Sequence, residues 1–334
     1  MNDPTVSVLL PVRNGTAYLA AALDSILRQT FDRWELVAVD DHSTDATPCI
    51  LAEYAHRDPR IRVITPEGEG LVPALNSGLA ACRAPLIARM DCDDISHPRR
   101  LELQFTCMDK NPSVGLAACG FRHFPRQQLR VGMLAYETWQ NSLFTHELIM
   151  RDLFVESPFV HPSVMFRKSL VEQVGGYREC GWTEDYDLWL RLAAAGVRFA
   201  RLPEPLLFWR DRPDRLTRTG PAYTAAAFRA CKAHYLKHGF LSGVDEVTLV
   251  GAGLEGRAWL RTLAKVGIGV SRWIDADPRK QGRLLHGVPV LPHYTDELSG
   301  RFLVTIGTRG AREGIRAWLA ERGLVEGVDV LIVT

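Results

Sequence analysis

Leu86–Arg100 reads LIARMDCDDISHPRR. It opens as an apolar run of strand length, and three carboxylates, Asp91, Asp93 and Asp94, follow at once. Gathering acids at the end of a buried strand costs free energy unless a cation or a partner charge compensates them. The i, i+2 pair Asp91 and Asp93 suits a hard divalent ion. Mg²⁺ and Mn²⁺ prefer oxygen ligands, and Mg²⁺ takes one or two carboxylates together with substrate phosphates. Alone, such a pair more often marks a solvated loop or a helix N-terminal charge cluster.

The segments upstream set the context. Val6–Leu10 is an apolar run ending at Pro11, and Asn14-Gly15-Thr16 forms a turn. Tyr18, Leu19, Ala22, Leu23, Ile26 and Leu27 then recur at helical spacing. Trp34–Val39 reads as a second strand ending at Asp40-Asp41, followed by a helix that Ser43-Thr44-Asp45 can cap. Arg62–Ile64 is a third strand, and a helix near Pro73–Cys82 precedes the fourth, Leu86–Met90. Strands alternating with helices predict βαβ units and a mainly parallel sheet. Ligands of such sheets bind beyond the carboxyl ends of the strands. Asp40-Asp41 and Asp91–Asp94 therefore share one rim.

In order, the chain carries V-S-V-L-L-P-V-R-N-G, W-E-L-V-A-V-D-D-H-S-T-D-A-T, A-L-N-S-G-L and I-A-R-M-D-C-D-D-I-S-H-P-R-R-L, then T-E-D-Y-D-L-W-L-R-L further on. This combination resembles the family 2 glycosyltransferases over roughly residues 5–220. The resemblance implies a GT-A fold, a nucleotide-diphosphate-sugar donor, a metal ion (Mn²⁺ or Mg²⁺) and transfer with inversion. Position by position, it places Pro11, Val12, Arg13, Asn14, Asn76 and Arg89 at the donor, and Asp41, with Asp40 beside it, at the base. Asp93 becomes a direct metal ligand, and Asp91 meets the ribose or the metal shell. The acid cluster is then completed by a cation and a diphosphate.

Such a transfer needs charge stabilisation on the departing nucleoside diphosphate and one base for the acceptor hydroxyl. Glu184-Asp185 resembles the family's E-D pair, so Asp185 is assigned as base and Glu184 as its support. The same residues also read as an acidic N-cap of the following helix. Arg210, Arg212 and Arg215 stand near where the family often carries a histidine. They can clamp the diphosphate, or form a solvated basic loop. His161 and Trp182 are candidates for the acceptor pocket, His161 being more often a structural residue in such a setting. The region from about 115 to 220 is expected on the acceptor side.

Near Ser242-Gly243-Val244 the strand–helix pattern restarts, which puts a domain boundary between 242 and 243. Gly251-Ala252-Gly253-Leu254-Glu255-Gly256 follows a strand and opens a helix, with Asp275 and Asp277 a little beyond 20 residues on. That is the pattern of a small Rossmann-like domain, with Gly251, Gly253, Gly256 and Asp275 as a second nucleotide site, NAD(P) included. A structural or docking role is the other reading.

Composition constrains the setting. The chain has 334 residues, 46% of them hydrophobic and 24% charged, with net charge +1, so nothing points to nucleic acid. The seven cysteines form no C-x-x-C pair, which argues against disulfides and zinc and for a reducing compartment. The N-terminus reads as a strand rather than a signal peptide, and no apolar run is of membrane-spanning length. A cytoplasmic enzyme, with peripheral access to the inner membrane face, is expected. It would use a UDP-sugar by preference and a glycan or lipid-linked acceptor in surface polysaccharide synthesis. The rivals are an NAD(P)-dependent sugar-nucleotide oxidoreductase and a non-catalytic nucleotide-sugar-binding protein. The sugar, the acceptor and the oligomeric state are not legible.

Overall fold

The computed structural model describes residues 3–296, 298–308 and 310–334. The chain forms two units: Met1–Met150 with Pro158–Cys180 and Glu184–Thr219, and Arg151–Ser157 with Gly181–Thr183 and Gly220–Thr334. The first contains the strands β1 (Val6–Val12), β2 (Trp34–Asp40), β3 (Ile61–Ile64), β4 (Leu86–Arg89), β5 (Ile95–Ser96), β6 (Val114–Phe124), β7 (Val164–Arg167) and β8 (Arg198–Arg210). Their order in the sheet is β3-β2-β1-β4-β7-β6-β8-β5. The β3-β2-β1-β4 half is parallel, β7 is antiparallel to both neighbours, β6 and β8 are parallel, and β5 closes the edge antiparallel.

The parallel half follows from its sequence. Every residue of β1 and β2 is buried, because helices cover both faces, which is why these strands read as unbroken apolar runs. Val8, Leu10, Leu36 and Ala38 pack with Leu19, Leu23 and Ile26 of the helix Leu19–Leu27 in one core. Burial of each such side chain is worth roughly 1.5–3 kcal/mol. At the opposite end from the acidic rim, the Glu35 carboxylate accepts from Ser7 Oγ at 2.7 Å, Arg83 N at 2.7 Å and Arg62 Nη1 at 3.1 Å. These bonds outweigh burial and hold its pKa below the ordinary value.

The stretch from 115 to 215, irregular by its sequence pattern, contributes three strands, β6, β7 and β8. Pro203 and Pro205 disguise β8, since proline removes ladder donors and ordinarily argues against a strand. The sheet absorbs them through register shifts around Gly120. A Cβ on that glycine would lie 2.8 Å from the Glu204 carbonyl oxygen.

The second unit contains β9 (Glu246–Val250), β10 (Gly269–Asp275), β11 (Leu284–Leu285), β12 (Val288–Pro292), β13 (Arg301–Val304) and β14 (Val330–Ile332), ordered β11-β12-β10-β9-β13-β14. All but the β11–β12 hairpin pair are parallel. The hairpin is too short to register as periodic sequence. The helix Ala225–His238 belongs here and not before a boundary at 243, because Ala233 and Leu236 share the core of Leu249, Trp259, Trp273 and Leu303. Lys232 Nζ in that helix donates to the Val155 and Val333 carbonyls at 2.7 and 3.1 Å. Among the described residues no helix is long and apolar enough to cross a membrane.

Candidate active site

The carboxyl ends of β1 and β2 lie side by side and are bonded to each other. Asp41 N donates to the Val12 carbonyl at 2.8 Å. Asn14 N donates to Ser43 Oγ, and Asn14 Oδ1 accepts from Thr44 N, both at 2.9 Å. Asn14 and His42 turn the chain with a left-handed φ of 53°, a conformation their side-chain types tolerate better than most. Asp41 Oδ1 accepts from Gly70 N at 2.9 Å, and the exposed Arg13 guanidinium lies 3.7 Å from both Asp41 and Glu69. Asp40 Oδ1 accepts from Ser43 N at 3.2 Å. Arg13 and Asn14 thus stand at the surface of the rim. Pro11 and Val12 do not: both are buried in β1, and Val12 packs in the core.

Beyond β4, one carboxylate oxygen from each of Asp91, Asp93 and Asp94 lies within 4.8 Å of the others. β8 supplies the counter-charges. Arg210 donates its backbone N to Asp94 Oδ1 at 2.8 Å and its Nε to the Asp93 carbonyl at 2.6 Å. Its guanidinium is held between Tyr18 and Phe124, 4.3 and 4.4 Å from the ring centroids. Just past β8, Arg212 Nε donates to Asp93 Oδ2 at 2.8 Å. Arg215 stacks on Trp209 at 3.8 Å, with no carboxylate at ion-pair distance among the described residues. These cations do not fully neutralise the cluster. Burial, then the Asp91 charge, push the Asp93 carboxyl above its ordinary range despite Arg212, and Asp94 is pushed well above it. Among the described residues, buried Asp94 Oδ2 has no hydrogen-bond partner. Asp91 goes the other way, because Arg89, His161 and Arg215 outweigh its burial.

Asp185 sits in the first turn of the helix Glu184–Ala194 and accepts from Tyr186 N at 2.6 Å. Burial, then the neighbouring Glu184 charge, push its carboxyl well above the ordinary range. Glu184 Oε1 lies 3.6 Å from His161 Nδ1, and His161 Nε2 shares a 2.9 Å hydrogen bond with the Tyr177 hydroxyl. Burial, then the Arg89 charge, lower the pKa of His161. Arg89 is buried at the end of β4 and feels the charges of Asp91 and Glu184. Its Nη2 donates to Asp91 Oδ1 at 2.7 Å and it bonds the Met90 carbonyl, while the charges of Asp91 and Glu184 hold it protonated against its burial.

Asn76, His161 and Trp182 also make contacts other than those the sequence suggested. Asn76 does not face a donor: its amide clasps the backbone of Tyr177, Oδ1 accepting from Tyr177 N and Nδ2 donating to its carbonyl, both at 2.9 Å. His161 is 8% exposed and sits within the Glu184–Tyr177 network instead of facing an acceptor. Trp182 belongs to the second unit, its ring 5.5 Å from His234. Asp94, Tyr177 and Tyr18 are part of the arrangement although the sequence pattern gives them no role at the site. Only Asp94 carried a signal, as the third acid of D-C-D-D. Asn76→Ala should destabilise the protein by about 1–3 kcal/mol, the range for leaving buried backbone groups unsatisfied. Urea unfolding checks this, and an unchanged midpoint would mean water replaces the amide.

In the second unit the glycine elbow follows β9 as the motif predicts. Asp275, expected to reach a ribose, instead accepts from Ala252 N and Lys280 Nζ through Oδ2 and from Asp277 N through Oδ1, each at 2.8 Å.

The family described as Glycosyl transferase family 2 matches residues 7–175. The glycosyltransferase EpsE of Bacillus subtilis is 33% identical over 243 residues, spanning 69% of this chain and 83% of its own. The O-antigen biosynthesis glycosyltransferase WbnJ of Escherichia coli is 32% identical over 231 residues, 66% of this chain and 85% of its own. Among solved structures, Staphylococcus aureus TarS residues 1–349 in complex with UDP superposes with a TM-score of 0.55 at 18% identity, covering 78% of this chain and 70% of that one. The mannosyltransferase PcManGT of Pyrobaculum calidifontis, in complex with GDP-Man and Mn²⁺, gives 0.51 at 20% identity, over 73% and 65%. These superpositions establish the GT-A fold.

Proposed function

This chain belongs to glycosyl transferase family 2, and on that premise we propose that it moves a sugar from a nucleotide-diphosphate donor to an acceptor hydroxyl with inversion. A UDP-sugar is the favoured donor, given the UDP bound in TarS, and a glycan or lipid-linked acceptor of cell-surface polysaccharide synthesis is favoured by the likeness to WbnJ. The observation that carries the reading is the acid cluster Asp91, Asp93 and Asp94 beyond β4, three carboxylates within 4.8 Å of one another, beside which Asp185 has its carboxyl pushed well above the ordinary range by burial and Glu184.

The residues fit a divalent ion: Asp91 and Asp93 would hold it, with a carboxylate oxygen of Asp94 within 4.8 Å of theirs as a third donor. When bound, such an ion stabilises the charge that gathers on the departing diphosphate. Arg13, Asn14 and Asp41 bind the nucleotide at the β1–β2 rim. Arg215, lacking an ion pair, is the cation best placed to meet phosphate oxygens, while Arg210 and Arg212 hold the acid loop. Asp185 takes the proton from the acceptor hydroxyl as it attacks the anomeric carbon. Its raised pKa makes it a stronger base than a solvated carboxylate, and the helix N-terminus steadies its charge. The Tyr186 N–H holds its Oδ1, and the Glu184 charge beside it keeps its pKa raised. The chain works on the cytoplasmic side, where nucleotide sugars are made.

A thermal-shift panel of UDP-, GDP- and dTDP-sugars with and without Mn²⁺ tests this, since a ligand of the folded state raises the melting temperature according to its affinity. A shift for one nucleotide that requires Mn²⁺ is expected. No shift with any of them overturns the donor class.

A further inference from the structure

We propose that the second unit carries a nucleotide-binding cleft of its own, built to hold a nucleoside diphosphate group. A cleft of about 730 Å³ opens at the carboxyl ends of β9, β10 and β13. In the strand order β11-β12-β10-β9-β13-β14 the chain passes from one side of β9 to the other between β12 and β13. The cleft therefore lies at the reversal point, where open parallel sheets receive ligands.

Its walls are of two kinds. Ile274, Ile306, Ile315 and Trp318 form an apolar slot suited to a flat base or a sugar face. Opposite, Gly253, Leu254 and Glu255 open the helix Leu254–Lys265, whose first N–H groups have no capping side chain. A second helix, Ala311–Glu321, also begins on the cleft and is likewise uncapped. The glycines make the approach possible. A Cβ on Gly256 would lie 2.1 Å from the Gly251 carbonyl oxygen, whereas one on Gly253 would meet nothing within 4 Å. The first lets the helix close on the strand, and the second leaves its N-terminus bare. An anion attached to a flat apolar group fits this pairing of surfaces. Asp275 already accepts three bonds from its own loop and Lys280, so it shapes the cleft wall rather than reading a ribose. Recognition falls on the phosphates, which sugar nucleotides and nicotinamide dinucleotides share.

The test is calorimetric titration of the full chain with UDP-glucose, GDP-mannose, NAD⁺ and NADP⁺ in EDTA, which removes divalent ions from the first unit. At least one nucleotide should bind, and its identity separates the two sources. Gly253→Asp puts a good capping residue at the helix start, so the fold is kept, but the carboxylate repels phosphate. Binding should weaken ~30-fold or more, as expected when a charge-assisted phosphate contact becomes a repulsion. Gly314→Glu is the second variant: that glycine lines the cleft, its Cβ would meet nothing within 4 Å, and glutamate is the better helix former. No binding in EDTA, or binding unchanged in both variants with their melting temperatures preserved, overturns the proposal.

Discussion

Asp185→Asn should lower kcat/KM by ~10³-fold, within the range that a positioned general base contributes, while donor binding measured by thermal shift stays intact. Asparagine keeps the shape and the bond accepted from Tyr186 N but cannot take the acceptor's proton. The same variant should be more stable than wild type at neutral pH. The sign follows from linkage. Burial and Glu184 raise the Asp185 carboxyl well above 3.8. A carboxyl whose folded pKa is raised costs the folded state stability as pH climbs from its unfolded pKa through its folded one, and the full cost persists above that. Asparagine removes the cost, so the gain in melting temperature should vanish at acid pH, where Asp185 is already protonated. The wild-type rate should fall as pH drops through the same raised pKa. A variant that keeps most of its activity would assign the proton to another acceptor.

Asp93→Ala should weaken Mn²⁺ affinity by at least ~100-fold, more than the 10–100-fold seen when only the residues behind a metal ligand are changed. Without nucleotide or ion the protein should be little altered. The lost Arg212 pair is partly solvent-exposed and worth little, and the repulsion from Asp91 disappears with it. With UDP-sugar and Mn²⁺ present, the difference becomes large. A ligand at ~100 times its Kd stabilises by about 2.7 kcal/mol, and a ~100-fold affinity loss removes most of that. Manganese titration followed by electron paramagnetic resonance measures affinity independently of turnover. Wild-type affinity in the variant would move the ion away from Asp93.

The parallel half of the first sheet was legible because β1, β2 and β4 are buried on both faces and each ends in polar residues at one rim. The periodicity of the Leu19–Leu27 helix was equally plain. The β6–β8 half was not, since Pro203, Pro205 and Gly120 sit inside strands there and the pairing joins residues more than eighty positions apart. The helix Ala225–His238 was placed on the wrong side of the boundary for a related reason. Its periodicity shows that a face is buried, but not against which sheet.

Family membership, the order of strands and helices around the acid rim, and the residue types that the proposed chemistry requires are all readable from the residues alone. Those properties are local: a strand end, an i, i+2 pair of acids and a helix start are all written within a few residues. The fold then gave each polar atom its partners. It turned Asn76 to the Tyr177 backbone, enclosed His161 between Glu184 and Tyr177, gave Trp182 to the second unit and, among the described residues, left Asp94 Oδ2 without a hydrogen-bond partner. A polar side chain's role depends on which donors and charges the fold brings within about 3 Å of it, and those come from segments that are distant along the chain.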